Sequence, residues 1–337
     1  MIVTVTLNTT VDRILEVPDF RVGVHARARV RHLQPSGKGI NVARGLARLG
    51  VHARAAGFVG RDQAQTYADS LGADGVDCAL CTVGGRTRMN TTILDPVAGT
   101  TTHLREPGFE VGPDDLARLR SALCEVLAGL DRPTASFSGS VPPGMTPDDY
   151  AGLLVACRQA GARLIVDAGG PALAAAVATD VVDTLKPNLL ELGECLGRPV
   201  GPDEAPAAAA ELLGRVRTVL VTLGADGAWL VRAGQTIGGI CRLRDDEVRN
   251  VVGCGDAFLV GWLKGESLGA DPAESLRWAV AAGAACAMTE ETVGYTSADV
   301  EALRPRCEPC PPAGSPGRPP PRGRGRRPCT CSGRPMV

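Results

Sequence analysis

The chain has 337 residues, 44% apolar and 22% charged, with 42 Gly, 25 Pro and a formal charge of -1. This composition suits a globular, turn-rich protein and excludes collagen-like or wholly disordered chains. Seven Arg and one Glu fall in 305–337, which leaves residues 1–304 mildly acidic and argues against nucleic acid as the main partner.

The opening MIVTVTLNTTVD alternates apolar residues with Thr and lacks a basic n-region, so it reads as a strand and not a leader. No apolar run reaches membrane-spanning length, and a cytoplasmic home with no membrane partner is expected. VHARARVRHLQ (24–34) alternates Val, Ala, Val and Leu with His and Arg, the period of a strand with one solvated face. INVARGLARLG reads as a helix ending at Gly50, and ARAAGFVG as a strand. TRMNTTILD and GTTTHLRE, joined by the turn PVAG at 96–99, form a Thr-rich hairpin. Half-exposed strands seldom lie inside a parallel sheet, so stretches within about 10–35 and 86–106 are expected to stand apart as a small β-sheet lid.

The remainder alternates. PDDLARLRSALCEVLAGL, with Pro113 near its start, is a helix, TASFSGS a strand and PDDYAGLLVACRQAG a helix. RLIVDAG and VDTLKPN read as strands, PAAAAELLGRV as a helix and TVLVTLG as a strand. Such alternation predicts an α/β protein of three α/β/α layers with a mostly parallel central sheet, binding ligands at the carboxyl ends of its strands. The Pro-, Gly- and Arg-rich segment 305–337 has too little apolar surface to bury and is expected to be disordered.

Twelve cysteines invite a disulfide reading, but most scatter through apolar segments and are expected to be reduced thiols packed as small hydrophobes. Cys78-x-x-Cys81 lacks a second pair in the body, and Cys307, Cys310, Cys329 and Cys331 lack flanking apolar residues for a zinc module. Lysine says more, since only Lys38, Lys186 and Lys264 occur in an Arg-rich chain. Two of them fall in Gly- or Pro-marked stretches, SGKGINVAR and LKPNLLE, where a compact ammonium is not interchangeable with a guanidinium.

Three Gly-centred stretches stand out: Gly37-Lys38-Gly39, Gly224-x-x-Gly227 and Gly253-Cys254-Gly255-Asp256. The third opens into the apolar helix AFLVGWLKG, so its free backbone N–H groups converge on one point as an anion hole. Asp256 is there either as a helix-start carboxylate favoured by the dipole or as a general base; either role needs it ionised, which at neutral pH requires no special tuning. Cys254 is either a nucleophile or a small filler in the turn, and no His adjoins it in sequence. Asn188 and Glu191, three apart, could present oxygens towards a hydrated Mg2+.

TLNTTVD, SGKGINVARGLARLG, GFVGRD, GRTRMN, FSGSVPPG, VDAGGPAL, KPNLLEL, VTLGADGAWLV and VVGCGDAFLVG occur in this order across residues 1–304. In that set the sequence resembles the PfkB, or ribokinase-like, family of sugar kinases, and its phosphosugar branch in particular. The resemblance implies one kinase domain over 1–304 with the ribokinase-like fold, ATP and Mg2+ as cofactors, and a homodimer formed through the lid. It further implies that Asp12, Gly39 and Asn41 hold sugar hydroxyls, that Lys38 and Arg88 hold the phosphate already on the substrate, and that Ser138 and Ser140 line that pocket. Lys186, Asn188 and Glu191 would serve the ATP phosphates and Mg2+, and Thr222, Gly224, Asp226 and Gly227 would border the nucleotide. Gly253, Cys254 and Gly255 would stabilise the transferring phosphoryl while Asp256 deprotonates the sugar hydroxyl. GKGINVAR, GRTRMN and GFEVGPDDL are most similar to 1-phosphofructokinases, with tagatose-6-phosphate kinases close and minor 6-phosphofructokinases or a weak sugar-phosphate sensor as alternatives. Two positions depart from the family pattern: Cys254 stands where Ala is usual, and Val251-Val252 precede the first Gly where a polar residue is common.

Overall fold

The computed structural model describes residues 1–309. The strands are β1 (Ile2–Thr6), β2 (Thr10–Glu16), β3 (Arg29–Ser36), β4 (Ala53–Gly60), β5 (Asp77–Val83), β6 (Arg88–Asp95), β7 (Thr100–Leu104), β8 (Thr134–Ser138), β9 (Arg163–Asp167), β10 (Thr184–Leu185), β11 (Thr218–Thr222), β12 (Ala228–Arg232), β13 (Gln235–Cys241) and β14 (Cys307–Pro309). The α-helices are α1 (Lys38–Arg48), α2 (Ala64–Ala73), α3 (Pro113–Ala128), α4 (Pro147–Gln159), α5 (Gly170–Ala178), α6 (Leu189–Leu196), α7 (Ala205–Ala210), α8 (Cys254–Ser267), α9 (Pro272–Ala287) and α10 (Ser297–Leu303).

Ten strands form the central sheet in the order β14-β13-β12-β11-β10-β9-β8-β1-β4-β5. From β11 through β5 every neighbouring pair is parallel, and β12 to β14 add an antiparallel edge. The strands alternate faces as period 2 requires. Leu164 and Val166 of β9, with Val219 and Val221 of β11, pack on one side against α3 to α7 through Leu119, Leu153, Leu173, Leu192 and Ala208. Ile165 and Leu220 point the other way, into a second core built from α1, α2, α8, α9 and α10. These are the three α/β/α layers that the strand and helix alternation predicts.

A separate four-stranded sheet, ordered β3-β2-β6-β7, is the lid. The hairpin turn at 96–99 joins β6 to β7 as expected. Three expectations need correction. MIVTVTLNTTVD is two strands in two sheets and not the single strand its alternation suggests, with Leu7–Thr9 crossing between them, so Asp12 belongs to the lid. VDTLKPN forms a strand only over Thr184–Leu185, with one isolated bridge from Asn188 to Thr222 beyond it, because Pro187 has no N–H to donate to a ladder and the chain turns into α6. The expected disorder begins too early: Cys307–Pro309 form the edge strand β14 on β13, and Cys307 is buried. The rest of the expected disordered segment, 310–337, lies outside the described residues. No helix among the described residues is long and apolar enough to cross a membrane.

Candidate active site

The carboxyl ends of β8, β9, β10 and β11 open towards the N-terminal turn of α8. Gly253 is the N-cap of that helix at φ 84°, and a Cβ there would lie 2.2 Å from Thr292 Cγ2, so both backbone and space require glycine. The turn before it is held by Asn250, whose Oδ1 accepts from the Val252 N–H at 2.9 Å. The valines therefore do not leave the loop without a polar support, since Asn250 provides it from two residues upstream.

Asp256 is 7% exposed, and its Oδ2 accepts from Asn41 Nδ2 at 2.9 Å. Burial pushes this carboxyl up to about 6, with the Lys38 ammonium opposing and the Asp167 carboxylate adding to the rise. This corrects the expectation of an untuned Asp: its proton affinity sits just below neutrality, where a base is both ionised and able to accept a proton. Asn41 is itself held, its Oδ1 accepting from Ser36 Oγ at 3.1 Å. The Ser36 hydroxyl also lies against the Asp12 carboxylate, which burial pushes up while bonds from Ser36, Asn90 and Thr10 and the Arg88 charge pull it back. The Tyr67 hydroxyl fixes Ser36 from behind, accepting its N–H at 3.1 Å. A polar chain thus runs from the lid carboxylate Asp12 to Asp256.

Asp167, fully buried at the end of β9, stands between both motif lysines. Lys38 Nζ donates to its Oδ1 at 3.0 Å and Lys186 Nζ lies 3.2 Å from Oδ2. Burial alone would raise the Asp167 carboxyl, but the two ammoniums more than reverse this and hold it below the usual range. Asp167 in turn keeps Lys38 protonated, with smaller help from Asp256 and Glu191. Two cations share this one anion, and the Asp256 carboxylate lies within electrostatic reach of both. Lys186 Nζ also comes within 3.6 Å of the place a Cβ on Gly255 would occupy, which puts that ammonium beside the α8 N-terminus. Gly39 lets α1 approach β1, since a Cβ there would meet Thr6 Oγ1 at 2.5 Å. Its part is to bring Lys38 and Asn41 into place.

Arg88, on β6, donates to the Asn8 carbonyl at 2.9 Å and to Ser140 Oγ at 3.2 Å, while its buried Nε has no hydrogen-bond partner. Ser138 is buried, its hydroxyl 3.4 Å from that of Ser136, so of the two serines Ser140 is the one at the Arg88 corner. On the other side of the α8 turn lies a cleft of about 510 Å³. Asn188, Thr222, Gly224, Asp226 and Gly227 line it together with Cys254 and Gly255. Val248, Val251, Phe258, Val280 and Ala284 supply an apolar wall suited to a flat ring.

Asn188 and Glu191 form a reciprocal cap on α6, the Glu191 N–H donating to Asn188 Oδ1 and the Asn188 N–H to Glu191 Oε2, both at 2.9 Å. Glu191 Oε1 lies over Gly169. One carboxylate beside this cleft would suit a divalent cation held mostly by a ligand's phosphate oxygens and water, and no group of three or more His, Cys, Asp or Glu among the described residues forms a metal cage.

Residues 3–297 match the model of the pfkB family carbohydrate kinases. The chain belongs to that family. This kinase is 38% identical over 283 residues to the 1-phosphofructokinase of Rhodobacter capsulatus, covering 83% of this chain and 88% of that one. It superimposes on phosphofructokinase-2 from Escherichia coli in complex with potassium with a TM-score of 0.84 at 28% identity, covering 90% of this chain and 98% of the other. Arabidopsis thaliana ribokinase, at 23% identity and a TM-score of 0.71 over 90% of this chain and 98% of that one, shares the fold. The ribokinase-like architecture is thus the one the motifs implied. Motif order does not single out Asp167 and Ser36. The scarcity of lysine was the usable signal, because two isolated ammoniums drawn to one site need a buried carboxylate.

Proposed function

We propose that this kinase transfers the γ-phosphoryl of ATP to fructose 1-phosphate, giving fructose 1,6-bisphosphate. The observation that carries the reading is the convergence of a buried base of raised pKa, a helix N-terminus opened by Gly253, and two lysines on Asp167 beside a nucleotide-sized cleft. Its similarity to a 1-phosphofructokinase favours this acceptor over other phosphosugars. In this reading Asp12 and Asn41 orient the sugar, and Arg88, with its free Nε, takes the phosphate already present, aided by Ser140 and the partly exposed Lys38. Asp256 accepts the proton of the attacking hydroxyl. The N–H groups of Gly253, Cys254 and Gly255, with Lys186, receive charge that spreads over the transferring phosphoryl. Asn188 and Glu191 would support a Mg2+ brought in with ATP, which would supply charge neutralisation on the phosphates.

The lid would close over the sugar to exclude water. Its outer surface carries Val30, Leu33 and Leu104, each more than half exposed, with Val22 and Val24 in the β2–β3 connection and Val97 in the β6–β7 turn. We read this face as the one that pairs two copies into a homodimer. A reducing cytoplasm is the home this reading assigns; all nine described cysteines are unpaired. The test is ATP-dependent turnover of fructose 1-phosphate, fructose 6-phosphate and tagatose 6-phosphate side by side. The highest kcat/KM is expected for fructose 1-phosphate; turnover of none removes the kinase reading, and a preference for another removes the acceptor.

A further inference from the structure

Two thiols meet behind the anion hole. Cys254 is the first residue of α8 and lines the nucleotide cleft, half-buried and reachable from it. Cys286, fully buried in the last turn of α9, directs its thiol at the same turn, two residues before Cys254. The surrounding backbone holds the two sulfurs together. Cys286 Sγ lies 3.7 Å from the Val252 carbonyl and 3.2 Å from that of Thr292, while Cys254 Sγ lies 3.8 Å from the Asn250 carbonyl. Gly283, one turn before Cys286, brings α9 so near that a Cβ on it would sit 3.4 Å from the Cys254 carbonyl oxygen.

We propose that Cys254 and Cys286 are a peroxide-sensitive modification site, a dithiol whose oxidation to a disulfide switches off phosphoryl transfer. The neighbouring Cys286 thiol draws Cys254 below the usual thiol range, against the effects of burial and of nearby Asp256, so the first proton leaves the more accessible sulfur. That sulfur attacks a hydroperoxide O–O bond; with hydrogen peroxide, sulfenic acid forms and one water leaves. Cys286 then attacks the sulfenic sulfur, its proton goes to the departing oxygen, and a second water leaves. In sum two thiols and one H2O2 give one disulfide and two H2O. An S–S bond of about 2.05 Å replaces the longer, non-bonded approach of the two sulfurs. It pulls the Cys254 backbone towards α9 and turns its N–H away from the phosphoryl. A displacement of about 1 Å at such a donor can cost on the order of a hundredfold in rate.

The inactivation part of this inference rests on the proposed function, whereas the cross-link does not. The full chain is titrated with hydrogen peroxide, digested with trypsin and mapped. Cys254 and Cys286 fall in separate single-cysteine peptides, 250–264 and 278–306. The expected result is a linked pair two hydrogens lighter than the sum, formed in step with at least about a tenfold fall in kcat/KM, reversed by dithiothreitol and slowed by ATP. Cys286→Ala should keep basal turnover and lose the linked pair and the dithiothreitol-reversible inactivation. Absence of the 254–286 link while activity falls, or a full link with turnover retained, overturns the proposal. If untreated protein turns over no phosphosugar, the kinase reading fails separately. The switch is then read as loss of ATP-induced thermal stabilisation on oxidation, and its persistence overturns the proposal.

Discussion

Replacing Asp256 with Asn should inactivate this kinase and stabilise it. The carboxyl is pushed from 3.8 up to about 6 in the folded state, so its charged form is disfavoured there relative to the unfolded chain. For a raised carboxylate the sign runs opposite to the usual salt-bridged Asp. The native state loses stability as pH rises from about 4 to above 6, and the loss is complete at higher pH. At about 1.36 kcal/mol per unit, the shift amounts to about 3 kcal/mol at pH 8 and roughly half of that at pH 5. Asn is nearly isosteric with the protonated acid, and its carbonyl can still accept from Asn41 Nδ2, so no packing is lost. Urea unfolding of Asp256→Asn and the parent at both pH values reads the difference directly, and Tm should rise by roughly 5 °C at pH 8. Phosphotransfer should fall by about 10² to 10⁴-fold with the loss of the base. An Asn variant less stable than the parent at pH 8, or a gain that does not shrink towards pH 5, would falsify the claim that Asp256 is held ionised at a cost.

The same tuning predicts an acid limb in the pH profile of kcat/KM with an apparent pKa near 6, absent if Asp256 is not the base. Asp167→Asn removes a neighbour that raises Asp256 and frees two ammoniums, so that limb should move to lower pH; the variant should also lose several kcal/mol of stability, as cut buried ion pairs do. A limb that stays put in a folded Asp167→Asn protein would refute the coupling. Gly253→Ala forces a side chain into φ 84° and against Thr292, and a fall in kcat of tenfold or more is expected with circular dichroism unchanged. Arg88→Ala should raise KM for the sugar phosphate while leaving KM for ATP within about twofold, because the Arg88–Ser140 corner is built from β6 and the loop after β8 and Arg88 does not line the nucleotide cleft.

The layered α/β order was legible because periodicity and turn residues act locally. Alternating apolar runs such as RLIVDAG and TVLVTLG are buried on both faces, and helices such as α4 carry their own caps, with Pro147 at the first position and Thr146 and Asp149 bonding each other's backbone. The Gly253 turn and the Asp256 that follows were legible for the same reason. Three features were decided only by tertiary structure. One is the separation of β1 from β2, since one alternating run can supply strands to two sheets. Another is the assignment of β14, because a three-residue edge in a Pro-rich stretch becomes a strand only when β13 offers it a partner and the core a place for Cys307. The third is the set of pairings Lys38–Asp167–Lys186, Asn41–Asp256 and Cys254–Cys286, each joining residues from different elements. An ion pair, a raised pKa and a thiol pair depend on distance and burial. Those quantities exist only after the chain has folded, so the sequence could name the groups but not their charge states.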